Sequence, residues 1–274
     1  MAGTAVRRGV SGRAAAGPTR ALRRTLTWQV ATVAAVRTET ASTRTIELSA
    51  PDWPGHRAGQ HLDVRLTAAD GYTAERSYSI AAAPGEPLAI TVQRLDDGEV
   101  SPYLTEELRA GDQLEVRGPI GGYFVWDADG PASPLLLAAG GSGIVPLRSI
   151  MRHRELAGAT VPARLLYSVR SLADVIYRAE LERFAGGVPV TYALTRQQPP
   201  GWTGHSGRVD GALLAGVAWP AAGLPGSAPP AAADPVAYVC GPTAFVETIA
   251  EGLVQLGYPP GRVKTERFGG PGGS

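Results

Sequence analysis

The sequence predicts a β domain followed by an α/β domain: an antiparallel β-barrel over residues 25–130, then a doubly wound parallel sheet over residues 131–274. Three observations predict it. The chain has 274 residues, 44% of them hydrophobic, which suits two cores of ordinary size. Its first half is made of short segments in which apolar and polar residues alternate, the period of half-buried strands. After Pro134 the rhythm changes to continuous apolar runs that alternate with helical patterns, as in a buried parallel sheet covered by helices.

Residues 1–24 carry the pairs Arg7-Arg8 and Arg23-Arg24 and no acidic residue. Val10 to Arg20 is mostly Ser, Gly, Ala, Pro and Arg, so no apolar signal region follows the arginines and a disordered basic tail is expected. Trp28 to Val36 alternates, and Thr43 to Leu48 is its expected partner. Pro51 to Gly59 reads as a turn region holding Trp53 and His56. Leu62, Val64 and Leu66 share one face of His61 to Thr67, and Leu88, Ile90 and Val92 share one face of Leu88 to Leu95. Between these segments lies Glu75-Arg76-Ser77-Tyr78-Ser79-Ile80. Ser101 to Leu108 reads as a short helix with Pro102 in its first turn. Gln113 to Gly118 reads as a strand, and Pro119 to Phe124 as a turn feeding a last strand. Many short strands and one helix fit a small barrel. Gly130 to Pro134 reads as the linker.

In the second half, Leu135 to Ala139 is a continuous apolar run, followed by Gly140-Gly141-Ser142-Gly143 and a helix to about Ala157. Ala163 to Tyr167 reads as a strand, Asp174 to Phe184 as a helix, Val188 to Thr195 as a strand and Val209 to Trp219 as a helix. Gly204 to Gly207 reads as a loop. Pro220 to Asp234, rich in Pro, Ala and Gly, reads as a flexible insertion without chemistry. Val236 to Cys240, Thr243 to Leu256 and Val263 to Phe268 complete the pattern as strand, helix and strand.

Composition narrows the function. A net charge of +1 gives no reason to expect nucleic acid as partner. No run approaches the length of a membrane-spanning helix. The single cysteine, Cys240, excludes a disulfide within the chain and a four-cysteine iron–sulfur site. The four histidines, His56, His61, His153 and His205, fit no metal spacing, and no Gly-x-Ser-x-Gly elbow is present. Arg76, Tyr78 and Ser79 bring a cation, an aromatic ring and a hydroxyl together on extended chain. A guanidinium forks onto phosphate, a ring stacks on a flat heteroaromatic and a hydroxyl donates to a ring nitrogen. An ordinary strand with a surface Arg and a packed Tyr fits the same residues. Gly140 to Gly143 sits between a buried strand and a helix, where small residues let amides approach a pyrophosphate; a tight turn is the alternative.

Arg76-Ser77-Tyr78-Ser79 resembles the flavin signature Arg-x-Tyr-Ser of the ferredoxin–NADP reductase superfamily. Gly98-Glu99-Val100-Ser101 resembles its second flavin motif, Gly140 to Pro146 its nicotinamide-nucleotide loop, and Cys240-Gly241-Pro242 the segment that closes on the nicotinamide. Glu266-Arg267-Phe268 resembles its acidic-aromatic ending, although here Gly269 to Ser274 follow. All stand in family order from about residue 26 to 268. The resemblance implies that FAD is held by the barrel through Arg76, Ser77, Tyr78, Ser79, Val92, Gly98, Val100 and Ser101, with Phe268 shielding it. It implies that NADPH or NADH is held through Gly140, Gly141, Ser142, Gly143, Cys240, Gly241 and Pro242. Ser79, Cys240 and Glu266 would lie at the reacting centre. The turn after the second strand of such a fold meets the adenosine ribose. Arg170 and Ser171 stand there without an acidic residue, and Arg196 ends the next strand, which favours NADPH.

The expected activity is hydride transfer from NAD(P)H to FAD, then electron transfer to a separate protein acceptor of the ferredoxin or oxygenase type. A flavin reductase using small diffusible acceptors and a non-catalytic flavin-binding subunit are the alternatives. The chain is expected to be a cytoplasmic monomer with no nucleic-acid or membrane partner.

Overall fold

The computed structural model describes residues 26–68, 70–220 and 234–268. The expected basic tail, nearly all of the Pro/Ala-rich insertion and the segment after Phe268 lie outside them.

The first half forms one antiparallel sheet. Its strands are β1 (Gln29–Thr40), β2 (Thr43–Ser49), β3 (His61–Thr67), β4 (Thr73–Ser79), β5 (Ala89–Gln93) and β6 (Gln113–Ile120), in spatial order β4-β3-β6-β1-β2-β5. An antiparallel bridge from Ile80 to Ile90 joins the two edge regions and closes the barrel. Period-two alternation places Ala31, Val33, Ile46, Leu48, Leu62, Val64, Ile90, Val92, Leu114 and Val116 inside, all buried. The expected short helix appears as a single wide turn, Tyr103–Glu107. The expected last strand after Phe124 is reduced to one bridge, Trp126 to Ala58. The chain there turns its large side chains inward: Phe124, Val125 and Trp126 are all buried, which leaves no alternation for a ladder to follow.

The second half forms a parallel sheet of β7 (Leu135–Gly140), β8 (Ala163–Val169), β9 (Val190–Leu194), β10 (His205–Ser206), β11 (Val236–Pro242) and β12 (Val263–Phe268). Its order is β10-β9-β8-β7-β11-β12. The helices are α1 (Ile144–Leu156), α2 (Arg178–Phe184), α3 (Gly211–Val217) and α4 (Thr243–Gln255). Successive strand residues point to opposite faces, and the core divides accordingly. Leu135, Leu137 and Ala139 pack with residues of α1 and α2, whereas Leu136 and Ala138 pack with residues of α3 and α4. The sheet is therefore doubly wound.

Two expectations change. Within the expected Gly204–Gly207 loop, His205 and Ser206 pair in parallel with Ala193 and Leu194. The helix expected from Asp174 starts instead at Arg178, after Tyr177 in a left-handed conformation at φ 59°. The Ser171 hydroxyl donates to the Asp174 carboxylate at 2.6 Å, and the Tyr177 ring is drawn into the barrel, where its hydroxyl donates to Thr91. Those contacts override helical propensity.

The first core cluster runs without a break from the barrel into the parallel sheet. Polar contacts add to it. On α1, Arg148 donates to the Ala81 carbonyl at 2.8 Å and to Glu180 at 2.7 Å, and the Ser149 hydroxyl donates to the Ala82 carbonyl at 2.6 Å. Arg152 pairs with Glu86 and Glu180. These contacts pin the segment that follows Ser79 against the second sheet. Among the described residues, no helix is long and apolar enough to cross a membrane.

Candidate functional site

Strand β7 is the switch point of the parallel sheet: the chain leaves it for β8 on one side and returns to β11 on the other. Ligands of such sheets lie beyond the strand ends at this point. The glycines there meet backbone to backbone. A Cβ on Gly143 would fall 2.0 Å from the Cys240 carbonyl oxygen, and one on Gly241 would fall 3.0 Å from the Gly140 Cα. Gly141 and Gly241 also take φ of 54° and 157°, values that favour glycine. The loop Gly140–Gly143 and the segment Cys240–Pro242 thus form one interlocked surface, with Ser142 partly exposed on it.

Parallel pairing of β11 with β12 sets Cys240 beside Glu266 and Pro242 beside Phe268. The Cys240 thiol is 3.9 Å from Glu266 Oε2. Burial pushes the thiol well up, with the Glu266 charge adding to the effect. The same burial pushes the Glu266 carboxyl up to about 7, against the opposing contact from Cys240. Phe268 is half-buried at the strand end.

The barrel brings Ser79 to the same seam. Ser79 is buried, and its Oγ has no hydrogen-bond partner. A buried hydroxyl without a partner is costly, and a polar edge of a bound flavin ring would satisfy it, so this site fits the flavin implied by the sequence. Tyr78 is half-buried next to it, with burial raising its phenol.

His61 follows Gly59-Gln60, a position that in sequence fits either a strand surface or an approach to the flavin, and was not among the expected site residues. Register sets His61 opposite Ser79, and its Nδ1 lies 3.7 Å from Glu266 Oε1 across the seam. The available signal was its position in the strand that pairs with the Arg-x-Tyr-Ser strand.

Other expected residues lie elsewhere. Arg76 is at the exposed end of the barrel, 3.0 Å from the Glu99 carboxylate, which also accepts from the Tyr72 hydroxyl at 3.1 Å. The Ser77 hydroxyl donates to Asp63 at 2.6 Å, so its side chain is committed to the barrel wall. Val92 and Val100 are core residues. Ser101 Oγ accepts from the Leu95 amide at 3.0 Å, and Gly98 closes the same turn through its amide bond to the Leu95 carbonyl at 3.0 Å. Arg170 and Arg196 follow β8 and β9 side by side, the Arg196 amide donating to the Arg170 carbonyl at 2.9 Å. Both are exposed. Among the described residues, no cluster of His, Cys, Asp or Glu could hold a metal ion.

A barrel joined to a doubly wound sheet, with their sites facing across one seam, defines a two-nucleotide oxidoreductase fold. Residues 31–125 match the oxidoreductase FAD-binding domain family and residues 137–251 the oxidoreductase NAD-binding domain family. The chain is 36% identical over 216 residues to ferredoxin–NADP reductase B of Sorangium cellulosum, covering 77% of this chain and 84% of that protein. It is 31% identical over 220 residues to the glycine betaine monooxygenase reductase subunit of Chromohalobacter salexigens. There the match covers 78% of this chain and 56% of the relative, so the chain spans little more than half of that protein's length. A ferredoxin NADP+ reductase from Neisseria gonorrhoeae, solved with bound FAD and NADP, has the same fold: TM-score 0.72 and 20% identity, over 88% of this chain and 98% of that one. The chain belongs to the ferredoxin–NADP reductase superfamily, and its cofactors are FAD and a nicotinamide nucleotide.

Proposed function

We propose that this chain is a flavoprotein reductase that takes a hydride from NAD(P)H onto FAD and passes electrons singly to a separate protein acceptor. The observation that carries the reading is the approach of the two sheets at one seam, where Cys240 lies beside Glu266 and Glu266 faces His61, the strand partner of the unpartnered Ser79. The bound cofactors supply the redox chemistry: hydride donation by the nicotinamide and two-electron to one-electron conversion by the flavin.

The chain's part is geometry and charge. Arg76 offers its guanidinium to a phosphate of FAD, beside the turn from Gly98 to Ser101. Tyr78 would pack against the flat ring, and Ser79, whose hydroxyl has no partner in the protein, would donate to it. Gly140 to Gly143 and Cys240 to Pro242 present backbone to the nicotinamide nucleotide without side chains in the way. Cys240, kept a neutral thiol by burial, excludes water and fixes the approach of the nicotinamide. Phe268, at the end of β12, would shield the ring.

The acceptor is an iron-containing partner of the ferredoxin or oxygenase type; the relatives named as a monooxygenase reductase subunit and a ferredoxin–NADP reductase support this. Anaerobic mixing of the flavin-loaded chain with NAD(P)H tests the first half. Bleaching of the flavin absorbance within one turnover is expected, followed by recovery on adding oxidised ferredoxin. A flavin that stays oxidised overturns the reading.

NADPH is the preferred donor on this reading. Arg170 and Arg196 lie adjacent and exposed at the strand ends, and no ion pair engages either among the described residues. A charge-assisted phosphate contact of roughly 1.5–3 kcal/mol gives about tenfold to hundredfold higher kcat/KM with NADPH. Arg170→Ala should erase most of that ratio. An NADH preference, or a ratio unmoved by the substitution, overturns the assignment.

A further inference from the structure

The turn between β8 and α2 starts in water and ends against the barrel. Arg170 at its start is exposed, and Val175, Ile176 and Tyr177 at its end are buried. We propose that Tyr177 is a positioning residue for the nicotinamide nucleotide, tying the turn that meets the adenosine end to the barrel segment that follows Ser79. The inference rests on the reductase reading and on the place of the adenosine ribose beyond the second strand of such a sheet.

Two ties run from Tyr177 to the barrel. Its hydroxyl donates to Thr91 on β5. Thr91 lies next to Ile90, which bridges to Ile80, the residue after Ser79. The Arg148 guanidinium lies over the Tyr177 ring, 4.7 Å from its centre, and donates to the Ala81 carbonyl at 2.8 Å. A hydrogen bond and a cation–π contact therefore reach the same short segment. The start of the turn is held by the parallel sheet instead: the Arg170 carbonyl accepts from the Arg196 and Gln197 amides at 2.9 and 3.0 Å.

The hydroxyl contact belongs to a directed chain. Thr45 donates to Glu39 at 2.7 Å, which leaves Thr91 to donate to Thr45 at 2.8 Å and to accept from Tyr177. Thr45 and Thr91 are buried and face each other across β2 and β5. Each hydroxyl donates toward the carboxylate, and in a low dielectric each link strengthens the next. Burial holds the Tyr177 phenol well above its ordinary value, so it stays a donor.

The backbone pays tribute to the same contact. Among the described residues, Tyr177 is the one non-glycine residue with a positive φ, 59°. A bulky side chain rarely takes that conformation, and it persists only where the surroundings impose it. A nicotinamide dinucleotide is held at both ends. Binding energy gathered at its adenosine end orients the nicotinamide only if the two holding points keep a fixed separation. Tyr177 fixes that separation, so its effect falls on the rate of flavin reduction more than on affinity.

The test compares a whole donor with a truncated one. Single-turnover flavin reduction is measured at saturation with the better of NADPH and NADH, and with reduced nicotinamide mononucleotide, which lacks the adenosine end. In Tyr177→Phe, which keeps the ring and loses the donor, the dinucleotide rate should fall about two- to tenfold, the worth of one hydrogen bond, and the mononucleotide rate should hold. Thr91→Val removes the acceptor and should do the same, and the double variant should lose no more than either single one. Equal slowing with both donors, no slowing, or additive losses overturn the proposal. A second readout needs no flavin. In the cofactor-free chain, amide hydrogen exchange over residues 171–176 should quicken about two- to tenfold in Tyr177→Phe while β1 is unchanged. An equal quickening throughout the chain, or none, overturns the positioning role and leaves the reductase reading standing. A wild type that neither NADPH nor NADH can bleach overturns the reductase reading and this proposal with it, whatever the exchange shows.

Discussion

Strand β4 starts in water and finishes in the core, and polar groups at its two ends behave differently. At the outer end, Arg76 and Glu99 sit 3.0 Å apart with about half of each side chain exposed. At the inner end, Ser79 has no partner and Glu266 is pushed up to about 7 by burial. Solvent screens the first contact, and an exposed pair of this kind contributes about 0–1 kcal/mol. Low dielectric magnifies the second. The exposed end can exchange one anion for another at little cost. The buried end stores a polar mismatch that a ligand relieves. On the proposed function, the outer end would set how tightly the flavin is held and the inner end how fast it reacts.

The contrast breaks most severely if the buried end loses its backbone contact. Gly143→Ala puts a Cβ at 2.0 Å from the Cys240 carbonyl oxygen, where neither side can yield without moving a strand. The expected loss is about 3 kcal/mol of stability, seen as a lower denaturation midpoint. An unchanged midpoint would show that the two loops are not locked together.

The next effect is pH-dependent. Glu266 titrates at about 7 in the fold and near its ordinary value, about 4.3, when unfolded. Its folded pKa is raised, so the contribution is fully present below the unfolded value and is lost as pH rises through 7. Glu266→Gln removes that loss. The variant should match the wild type near pH 4 and exceed it by about 3 kcal/mol above pH 8. Equal pH profiles for the two proteins would place Glu266 in water.

The outer end should behave in the opposite sense. Arg76→Ala should weaken FAD binding by roughly 1.5–3 kcal/mol while shifting stability by no more than about 1 kcal/mol. Equilibrium dialysis and thermal melts read the two separately. Undiminished flavin affinity removes Arg76 from the site.

Cys240→Ala should give the smallest change. On the proposed function the thiol positions and does not react, so single-turnover flavin reduction should slow about tenfold, roughly 1.4 kcal/mol, with nucleotide affinity nearly kept. Normal reduction would make Cys240 a packing residue.

Local pattern determined much of this protein. Alternation in 61–67 and 113–118 and the continuous run at 135–139 are readable because burial of a strand face imposes its own period. The motifs around Arg76, Gly140, Cys240 and Glu266 lie in a fixed order on identifiable strands and turns, which is why their resemblance to a family named the cofactors and pointed to Ser79, Cys240 and Glu266 as candidates. Tertiary structure decided the rest. Tyr177 takes a left-handed backbone because its ring is pulled into the barrel, a force no local propensity encodes. The strand expected after Phe124 dissolves because three large side chains turn inward together. His61 was ambiguous in sequence because its partner lies on the far sheet: Glu266 approaches it only after both sheets have folded and α1 has fastened the segment after Ser79 between them. The same closure removes water from Glu266 and raises its pKa. A sequence fixes which groups are present. Their proton affinities depend on what surrounds them, and that is set by packing between elements distant along the chain.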